Sequence, residues 1–423
     1  MRALQGKRHP SRSYPLRPCP IIISTIKKVL MVHKEMTPIL QAISAFYREL
    51  FQSRARRAGL PRAAGTVPAG LTRAPAARIL FGKEAPAMPE FRQNLATREW
   101  VIIARERAKR PDQFRMTEER PVPPTFREDC PFCPGHEDMT PPVVSMVPAG
   151  DGWGVRVVPN KFAAVRPELS PDRHRMGRYL CAEGYGLAEV VIEHPRHDLS
   201  PAVMLDSSVA RFLGVCAERY AAMARRPAIN LITIFRNHGP FAGTSLEHPH
   251  TQIIATPIVP PHVQDPLNNA RAYFNSEGRC VFCDILAEEL GQGVRIIEET
   301  ERFLCFIPFA ARSPFETRVY PKRHCGSFGD TTPEERADLA GLLRRTLGRI
   351  YGALANPDYN FIIRSAPVGD EDVRYYHWYI VIAPKVTTPA GFEMGTGIYI
   401  NTSVPEEAAT CLRETDPVAV REG

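Results

Sequence analysis

The sequence predicts an α+β fold in which two halves of the chain repeat one structural plan. Two Cys-x-x-Cys pairs, Cys130 to Cys133 and Cys280 to Cys283, each have a phenylalanine before the second cysteine. Two histidines follow each pair in the same order, and matched positions lie 127 to 150 residues apart. Between its histidines, each half has a helical apolar period followed by an apolar strand. An internal duplication explains all three observations.

The elements are predicted in chain order from these patterns. In each half an amphipathic helix leads into an apolar strand, and a loop then reaches the second histidine. The residues that follow His250 are typical of a further strand. The predicted helices are 207–224 and 333–354, and the predicted strands are 229–235, 251–256 and 359–364.

Each half also offers four ligands typical of a structural zinc site. Tetrahedral Cys₂His₂ coordination is common for zinc, although redox and iron–sulfur sites use Cys-x-x-Cys as well. Two copies with histidines in matching order favour zinc. His194 competes with His197 as a ligand, and His197 and His324 have the alternative of being surface or capping histidines. The predicted ligands are Cys130, Cys133, His197 and His248 in the first half and Cys280, Cys283, His324 and His377 in the second.

The run from His248 through His250 to Gln252 is the best candidate for chemistry. Alternate residues of a strand share a face, so both imidazoles and the amide point the same way. An imidazole can attack phosphorus, and the amide can donate to a phosphate oxygen. The alternative is a polar edge strand that faces water. In the second half Tyr379 and Val381 stand opposite His250 and Gln252, which predicts a single reacting histidine per chain.

Charge is unevenly distributed along the 423 residues, whose net charge is +8. Residues 1–87 carry 16 Lys and Arg against 3 Glu, a net of +13, so residues 88–423 carry 38 basic against 43 acidic side chains, a net of −5. We therefore expect no nucleic-acid partner for the body of the protein. No apolar run reaches the roughly 18 to 20 residues of a membrane span, so no membrane partner is expected either.

The Arg-rich segment 1–87 has little sustained periodicity. We expect a disordered leader or an upstream start that precedes a native start at Met88, with a transit peptide as the alternative. Its apolar patch at Ile21-Ile22-Ile23 is broken by Lys27-Lys28, which argues against a secretory signal. The ten cysteines are too sparse for a secreted disulfide framework. A cytoplasmic protein is therefore expected.

Four separated segments occur in the order of one family's motifs. They are residues 107–111, 158–162, 237–252 and 391–397. Together they resemble the galactose-1-phosphate uridylyltransferase family of the histidine-triad superfamily, over roughly residues 88–413. The resemblance implies two histidine-triad-like halves, each an antiparallel sheet packed with a long helix. We expect these halves at 88–265 and 266–413, with a tail at 414–423.

The resemblance also implies a ping-pong nucleotidyl transfer. His250 attacks the α-phosphorus of a nucleotide sugar, hexose 1-phosphate leaves, and a second hexose 1-phosphate then takes the nucleotide from the imidazole. For Nε2 to attack, Nδ1 must carry the proton, and the implied acceptor is the backbone carbonyl of His248. Zinc on the His248 side chain fixes that backbone, so a structural metal supports catalysis without contacting substrate.

Further site positions carry over from the family residue by residue. Gln252 is implied to stabilise the phosphate. The alternatives for other positions are a turn cap for Asn160, a solvated basic edge for the two arginines and a surface carboxylate for Glu393. The implied substrate contacts are Ser245 and Asn237 beside the phosphate, Asn160 and Phe162 at the base and ribose, Arg107 and Arg110 at the phosphates, and Phe392 and Glu393 at the hexose hydroxyls, the last two donated by the neighbouring subunit of a homodimer.

Departures from the family pattern leave the base open between uracil and adenine. Thr244 stands where bacterial members often have cysteine, and Lys161 stands where an aspartate that contacts the base is common. The second Cys₂His₂ set and residues 391–397 look more like a branch that includes ADP-glucose phosphorylases. Galactose-1-phosphate uridylyl transfer from UDP-glucose is the first candidate function, and ADP-glucose phosphorolysis or adenylyl transfer is the second.

Two functions of other kinds compete with nucleotidyl transfer. A zinc protein that binds nucleotides or nucleic acid without turnover is favoured by the +13 leader and opposed by the −5 body. A histidine-triad hydrolase uses a third alternate histidine as the acid for its leaving group. Gln252 fills that place here, which favours transfer over hydrolysis.

Overall fold

The computed structural model describes residues 88–105, 110–116, 120–370 and 373–422. The predictions for residues 1–87 and for Arg107 lie outside the described residues. The described strands are β1 (Glu90–Gln93), β2 (Trp100–Ile103), β3 (Ser145–Ala149), β4 (Gly152–Pro159), β5 (Arg173–Met176), β6 (Tyr179–Ala182), β7 (Leu187–Ile192), β8 (Leu231–His238), β9 (His250–Thr256), β10 (Ile296–Glu299), β11 (Phe303–Phe306), β12 (Thr317–Pro321), β13 (Tyr359–Arg364), β14 (Tyr379–Pro384) and β15 (Tyr399–Asn401). The described α-helices are α1 (Asp206–Ala224), α2 (Pro261–Glu277), α3 (Val281–Gln292), α4 (Pro333–Leu354), α5 (Gly391–Thr396) and α6 (Pro405–Glu414).

One antiparallel sheet of ten strands joins the two predicted halves. Its order is β10-β11-β12-β14-β13-β8-β9-β7-β4-β3, and every neighbouring pair is antiparallel. Read outward from the β8–β13 pair, both halves place their strands in the same relative order. The duplicated α+β prediction is therefore confirmed, and the two expected sheets are joined edge to edge. A smaller sheet of β1, β2 and β15 lies apart from it.

The two long helices pack against each other on one face of the large sheet. Each carries an apolar stripe, with Phe212 and Leu213 buried in α1 and Leu342 and Leu343 buried in α4. Side chains from both helices and from both halves of the sheet form one buried cluster. The predictions of helices at 207–224 and 333–354 are confirmed to within one residue.

One predicted strand is shifted by its tertiary surroundings. The strand expected at 229–235 runs from Leu231 to His238 instead. The chain leaves α1 through Ala228, whose φ of 62° is incompatible with a strand. The strand extends to His238 because that residue pairs with Tyr359 of β13 in the other half.

The opposite face of the sheet carries two smaller apolar clusters, one in each half. In the first, Phe132 from between the two cysteines packs with Ile192 of β7. In the second, Phe282 packs with Tyr320 of β12 and Tyr379 of β14. The duplicated Cys-x-x-Cys segments thus cover corresponding parts of this face, and the central strands between them are only half-buried there. Among the described residues, no helix is long and apolar enough to cross a membrane.

Candidate active site and metal centres

The four ligands predicted in the first half converge on one buried point. Sγ of Cys133 lies 3.6 Å from Nδ1 of His197 and 3.6 Å from Nδ1 of His248. With Cys130, these residues each place one ligand atom within 4.8 Å of the others, and all four side chains are buried. Nε2 of His248 donates to the carbonyl of His194 over 2.8 Å, which directs its Nδ1 toward the sulfur.

The four ligands predicted in the second half converge in the same way. Sγ of Cys283 lies 3.3 Å from Nδ1 of His324 and 3.8 Å from Nδ1 of His377. Nε2 of His377 donates to the carbonyl of Arg323 over 2.9 Å, as His248 donates to a backbone carbonyl in the first half. This cluster is more open than the first, because Cys283 is half-buried and His324 is exposed.

Both clusters have the dimensions of a tetrahedral Cys₂His₂ zinc site. A zinc ion about 2.3 Å from sulfur and about 2.0 Å from nitrogen would hold those two atoms about 3.5 Å apart. The four sulfur–nitrogen separations run from 3.3 to 3.8 Å. The two sets therefore fit zinc in number, type and spacing of ligands. A metal bound there would tie together segments that are distant in sequence and so stabilise the fold.

In the structure His197, and not His194, lies beside the two cysteines. Nδ1 of His194 accepts from the amide of Arg196 at 3.0 Å, and its Nε2 lies 3.2 Å from the carboxylate of Glu422. His194 therefore turns away from the sulfur atoms, and His197 joins Cys133.

His250 begins β9, two residues after the cluster member His248. Its Nδ1 donates to the backbone carbonyl of His248 over 2.8 Å, which is the hydrogen bond that the family resemblance implies. A carbonyl oxygen only accepts, so the proton resides on Nδ1 and the lone pair resides on Nε2. The ring is thus in the tautomer that an attack through Nε2 requires.

The surroundings of His250 keep its imidazole neutral. The side chain is 7% exposed, and the ring of Phe132 packs against it with centroids 5.6 Å apart. Burial lowers the pKa of His250 to about 4, and the charge of Arg236 acts in the same direction. At neutral pH the ring is therefore uncharged, as a nucleophile must be.

Gln252 lies on the same face of β9 as His250. His250 pairs with Ile192 of β7, and Gln252 pairs with Val190 of β7 and Phe235 of β8. Because alternate strand residues share a face, the amide and the imidazole line one surface. The alternative of an edge strand is wrong, since β9 has a neighbouring strand on each side.

The loop between β8 and β9 is held in a tight turn by the second half of the chain. Gly239 has a φ of +84°, and a Cβ added there would lie 2.2 Å from Oδ1 of Asp358. The carboxylate of Asp358 accepts from the amide of Phe241 and pairs with Arg120. The turn therefore needs glycine for both its conformation and its close contact.

Asn237 is the penultimate residue of β8, and Ser245 lies within the loop that follows. Nδ2 of Asn237 is 3.4 Å from the carbonyl of Gly243, and its Oδ1 accepts from Asn360 of β13 at 2.9 Å. Ser245 is exposed and stands three residues before His248. The hydrogen bond to Gly243 thus ties the side chain of Asn237 to the loop that leads to His250.

Asn160 and Phe162 follow β4, which is two strands from β9. Oδ1 of Asn160 accepts from the amide of Phe162 at 2.9 Å, so the turn-cap interaction is present. The backbone amide of Asn160 donates to Ala188 of β7 over 2.9 Å. The ring of Phe162 is 87% exposed, which leaves its faces open to a planar ligand.

Arg110, Phe392 and Glu393 have no described contact with His250 in the same chain. Arg110 precedes a 3₁₀ helix, Pro111–Phe114, that packs against α4 and α6. Phe392 and Glu393 line a groove of about 850 Å³ that runs over β8, β13 and β14. Arg107 lies outside the described residues. The structure therefore does not place Arg110, Phe392 and Glu393 in contact with His250 among the residues that it describes.

Tyr379 occupies in β14 the place that His250 occupies in β9. Its ring packs with Phe282 at 5.8 Å between centroids, much as His250 packs with Phe132, and it stacks on Tyr320 at 4.8 Å. The second half thus keeps the aromatic packing around this position and lacks the imidazole.

An unpredicted ion pair lies beneath His250. Nη1 of Arg236 is 3.3 Å from Oε1 of Glu193, and both side chains are buried on the helix-covered side of the sheet. The sequence holds one signal of it, since Arg236 stands where the alternation of β8 calls for an apolar core residue.

Comparison with known proteins extends these observations. Residues 82–260 match the family model described as galactose-1-phosphate uridyl transferase, N-terminal domain. Residues 205–414 match a domain of unknown function, DUF4921. The two matches overlap and together span nearly all of the described residues.

Two curated proteins are similar over most of their length. ADP-glucose phosphorylase of Arabidopsis thaliana is 34% identical over 332 residues, which are 77% of this chain and 93% of that protein. Galactose-1-phosphate uridylyltransferase of Thermotoga maritima is 29% identical over 339 residues, which are 78% of this chain and 99% of that protein.

Two solved structures have folds similar to that of this chain over most of their length. The ADP-glucose phosphorylase from Arabidopsis thaliana with bound ADP-glucose has a TM-score of 0.66 at 32% identity, covering 78% of this chain and 99% of that one. A uridylyltransferase has a TM-score of 0.60 at 27% identity, covering 76% of this chain and 97% of that one.

Proposed function

The chain belongs to the galactose-1-phosphate uridylyltransferase family, and on that premise we propose that it transfers a nucleotidyl group through a covalent bond to His250. The observation that carries the proposal is the 2.8 Å hydrogen bond from Nδ1 of His250 to the carbonyl of His248. It fixes the reactive tautomer and joins the nucleophile to a metal-cluster residue. The neutral, buried imidazole and the amide of Gln252 on the same face support the same chemistry.

The proposed reaction has two displacements at one phosphorus atom. Nε2 of His250 attacks the α-phosphorus of UDP-glucose, the bond to glucose 1-phosphate breaks, and a uridylyl-imidazole forms. A phosphate oxygen of galactose 1-phosphate then attacks the same phosphorus, and the phosphorus–nitrogen bond breaks to give UDP-galactose. Nδ1 keeps its proton throughout, so the His248 carbonyl stabilises the charge that the ring carries while substituted. We assign Gln252 to a phosphate oxygen in both steps.

A second candidate is phosphorolysis of ADP-glucose, in which inorganic phosphate takes an adenylyl group from His250. The 34% identity to ADP-glucose phosphorylase favours it, as does Lys161 at a position where the uridylyltransferases commonly have aspartate. The first displacement is the same in both candidates. They differ only in the base that is bound and in the acceptor.

We assign the remaining residues by their positions. Asn160 and Phe162 contact the base and ribose, and Asn237 and Ser245 line the phosphate pocket. Arg107 and Arg110 interact with the phosphates. Phe392 and Glu393 bind hexose hydroxyls from a neighbouring subunit, a role that the family resemblance implies and that the exposed ring of Phe392 supports. A homodimer is therefore part of the proposal.

Zinc is the proposed metal at both clusters, with a structural role. Zinc bound by Cys130, Cys133, His197 and His248 would hold the backbone from which His250 projects, and it would not contact the nucleotide. The second cluster, Cys280, Cys283, His324 and His377, would stabilise the corresponding part of the second half. The cytoplasm is the proposed location, since it keeps cysteine ligands reduced.

Covalent labelling tests the function directly. The protein is incubated separately with UDP-glucose and with ADP-glucose labelled in the base, and the adduct is mapped by peptide mass spectrometry. We expect one nucleotidyl group per chain on His250. Labelled protein is then given galactose 1-phosphate, inorganic phosphate or buffer alone, which separates a transferase, a phosphorylase and a hydrolase. Absence of an adduct from both nucleotide sugars would favour the zinc protein without turnover.

A further inference from the structure

At the start of β9, the hydrogen bond that joins it to β8 comes from a side chain rather than from the backbone. The ladder between the two strands ends at the pair Phe235 and Gln252, two residues beyond His250 along β9. From there Arg236 reaches across, and its Nη1 donates to the backbone carbonyl of His250 over 3.1 Å. The carbonyl of the proposed nucleophile is therefore held by a guanidinium.

Glu193 holds the residues on either side of His250. Its backbone amide donates to the carbonyl of Pro249 over 3.0 Å. Its Oε1 accepts from the hydroxyl of Thr251 at 2.7 Å and from Nη1 of Arg236 at 3.3 Å. His250 and Thr251 are thus bonded to the side chains of this ion pair, and Pro249 is bonded to the backbone of Glu193.

This ion pair is fully enclosed. The side chain of Arg236 is 3% exposed, that of Glu193 is 0% exposed, and Tyr359 lies within 3.5 Å of Nε of Arg236. A buried ion pair stabilises a fold no better than apolar side chains of similar volume, because both charges lose their hydration. Simple core stability therefore does not account for charged residues at this place.

The ion pair and the imidazole lie on opposite faces of β9. Thr251, which bonds to Glu193, points to the helix-covered face, and His250 and Gln252 point to the other face. Arg236 therefore reaches His250 only through the backbone. A substrate bound over the imidazole would not contact the guanidinium.

We infer that Arg236 and Glu193 are positioning residues that orient the backbone of His250 for attack, an inference that rests on the proposed nucleotidyl transfer. Nδ1 of the ring is held by the His248 carbonyl, and the main chain is held by the ion pair, so Nε2 has a fixed direction. Displacement at phosphorus requires the attacking and leaving atoms to be in line, and small misplacements slow it strongly. Arg236 and Glu193 thus raise the rate of nucleotidylation and take no part in binding the nucleotide sugar.

The test compares two double variants. Arg236→Met with Glu193→Gln removes both charges together, so neither is left unpaired. Arg295→Met with Glu289→Gln is the matched control, because that pair is equally buried, at 4% and 4% exposed, and lies in the second half. Single-turnover formation of nucleotidyl-His250 is measured over a range of whichever nucleotide sugar labels the wild type. Thermal midpoint and zinc content are measured in parallel.

In the Arg236/Glu193 variant His250 is expected to be labelled fully but about 10- to 100-fold more slowly than in the wild type. The concentration of nucleotide sugar that gives half the maximal rate should stay within about twofold of the wild-type value. Hydrogen exchange in the peptide covering residues 248–253 should be faster in this variant alone. The control variant should lose thermal stability and keep the wild-type rate. Arg236→Lys keeps a charged donor and should react faster than the double variant.

Three results would overturn the inference: an unchanged rate in the Arg236/Glu193 variant, an equal slowing in both double variants, or a rise in half-saturation with the rate preserved. Should that variant fail to fold, Thr251→Val, which removes one bond to Glu193 and leaves the ion pair intact, should still slow labelling. Wild-type protein that forms no adduct would refute the proposed function and this inference with it. If the wild type is labelled and the Arg236/Glu193 variant is labelled at the same rate, only the inference is refuted and the proposed function stands.

Discussion

His248 and His250 are joined by one hydrogen bond, from Nδ1 of His250 to the carbonyl of His248 over 2.8 Å. The side chain of His248 belongs to the first set of candidate metal ligands, and its Nε2 is held by the carbonyl of His194. His248 therefore connects the candidate metal ligands, through its side chain, with the proposed nucleophile His250, through its backbone carbonyl. A structural metal bound there would influence chemistry at an atom that it does not touch, because it would hold the backbone from which His250 projects.

Replacing His250 with alanine should abolish nucleotidylation and leave the metal in place. The nucleophile is lost, so turnover should fall on the order of 10⁴-fold or more. The four ligands of the first cluster are unchanged. Adduct formation is followed by mass spectrometry and zinc by elemental analysis, and loss of metal from this variant would contradict the separate roles of His248 and His250.

Replacing Cys130 with serine should lower zinc content, stability and activity together. A buried ligand is lost, so the chain should bind about one zinc fewer and lose more than about 2 kcal/mol of unfolding free energy. Cys181→Ser, at a half-buried cysteine outside both clusters, is the control and should change neither property. Normal zinc stoichiometry in Cys130→Ser would refute the first site.

Chelation should remove the two metals in sequence. The second cluster has an exposed His324 and a half-buried Cys283, whereas all four ligands of the first are buried. A chelator should therefore release one zinc quickly with little loss of nucleotidylation, and the second zinc slowly with loss of that activity. His324→Ala should remove the fast phase. Loss of activity during the fast phase would show that the open cluster supports His250.

Replacing Gly239 with alanine should disrupt the loop that leads to His250. The backbone there has φ of +84°, and the new Cβ would lie 2.2 Å from Asp358. We expect a loss of about 1 to 3 kcal/mol in unfolding free energy together with slower nucleotidylation. Gly214→Ala in α1 is the matched control, since a Cβ there meets nothing within 4 Å. It should stabilise the protein by up to about 1 kcal/mol, and an equal effect of the two substitutions would contradict this account.

Periodic and repeated features were the ones that the sequence could predict. The helices α1 and α4 were visible because an apolar stripe repeats with the helical period over five turns or more. The two groups of candidate metal ligands could be predicted because two Cys-x-x-Cys pairs are each followed by histidines in the same order. The predicted end of β8 was wrong, since its last residues are ordered by β13, which lies more than 120 residues away in sequence.

The sequence by itself determined the duplicated plan, and it marked out two candidate ligand sets and His250 as the candidate nucleophile, because each depends on residue type and spacing. Only the tertiary structure decided that the two sheets join at β8 and β13, that His197 rather than His194 faces the cysteines, and that Arg236 and Glu193 hold the backbone of His250. These features depend on which side chains meet across distant segments. Burial and hydrogen-bond geometry select among such partners only once the chain has folded.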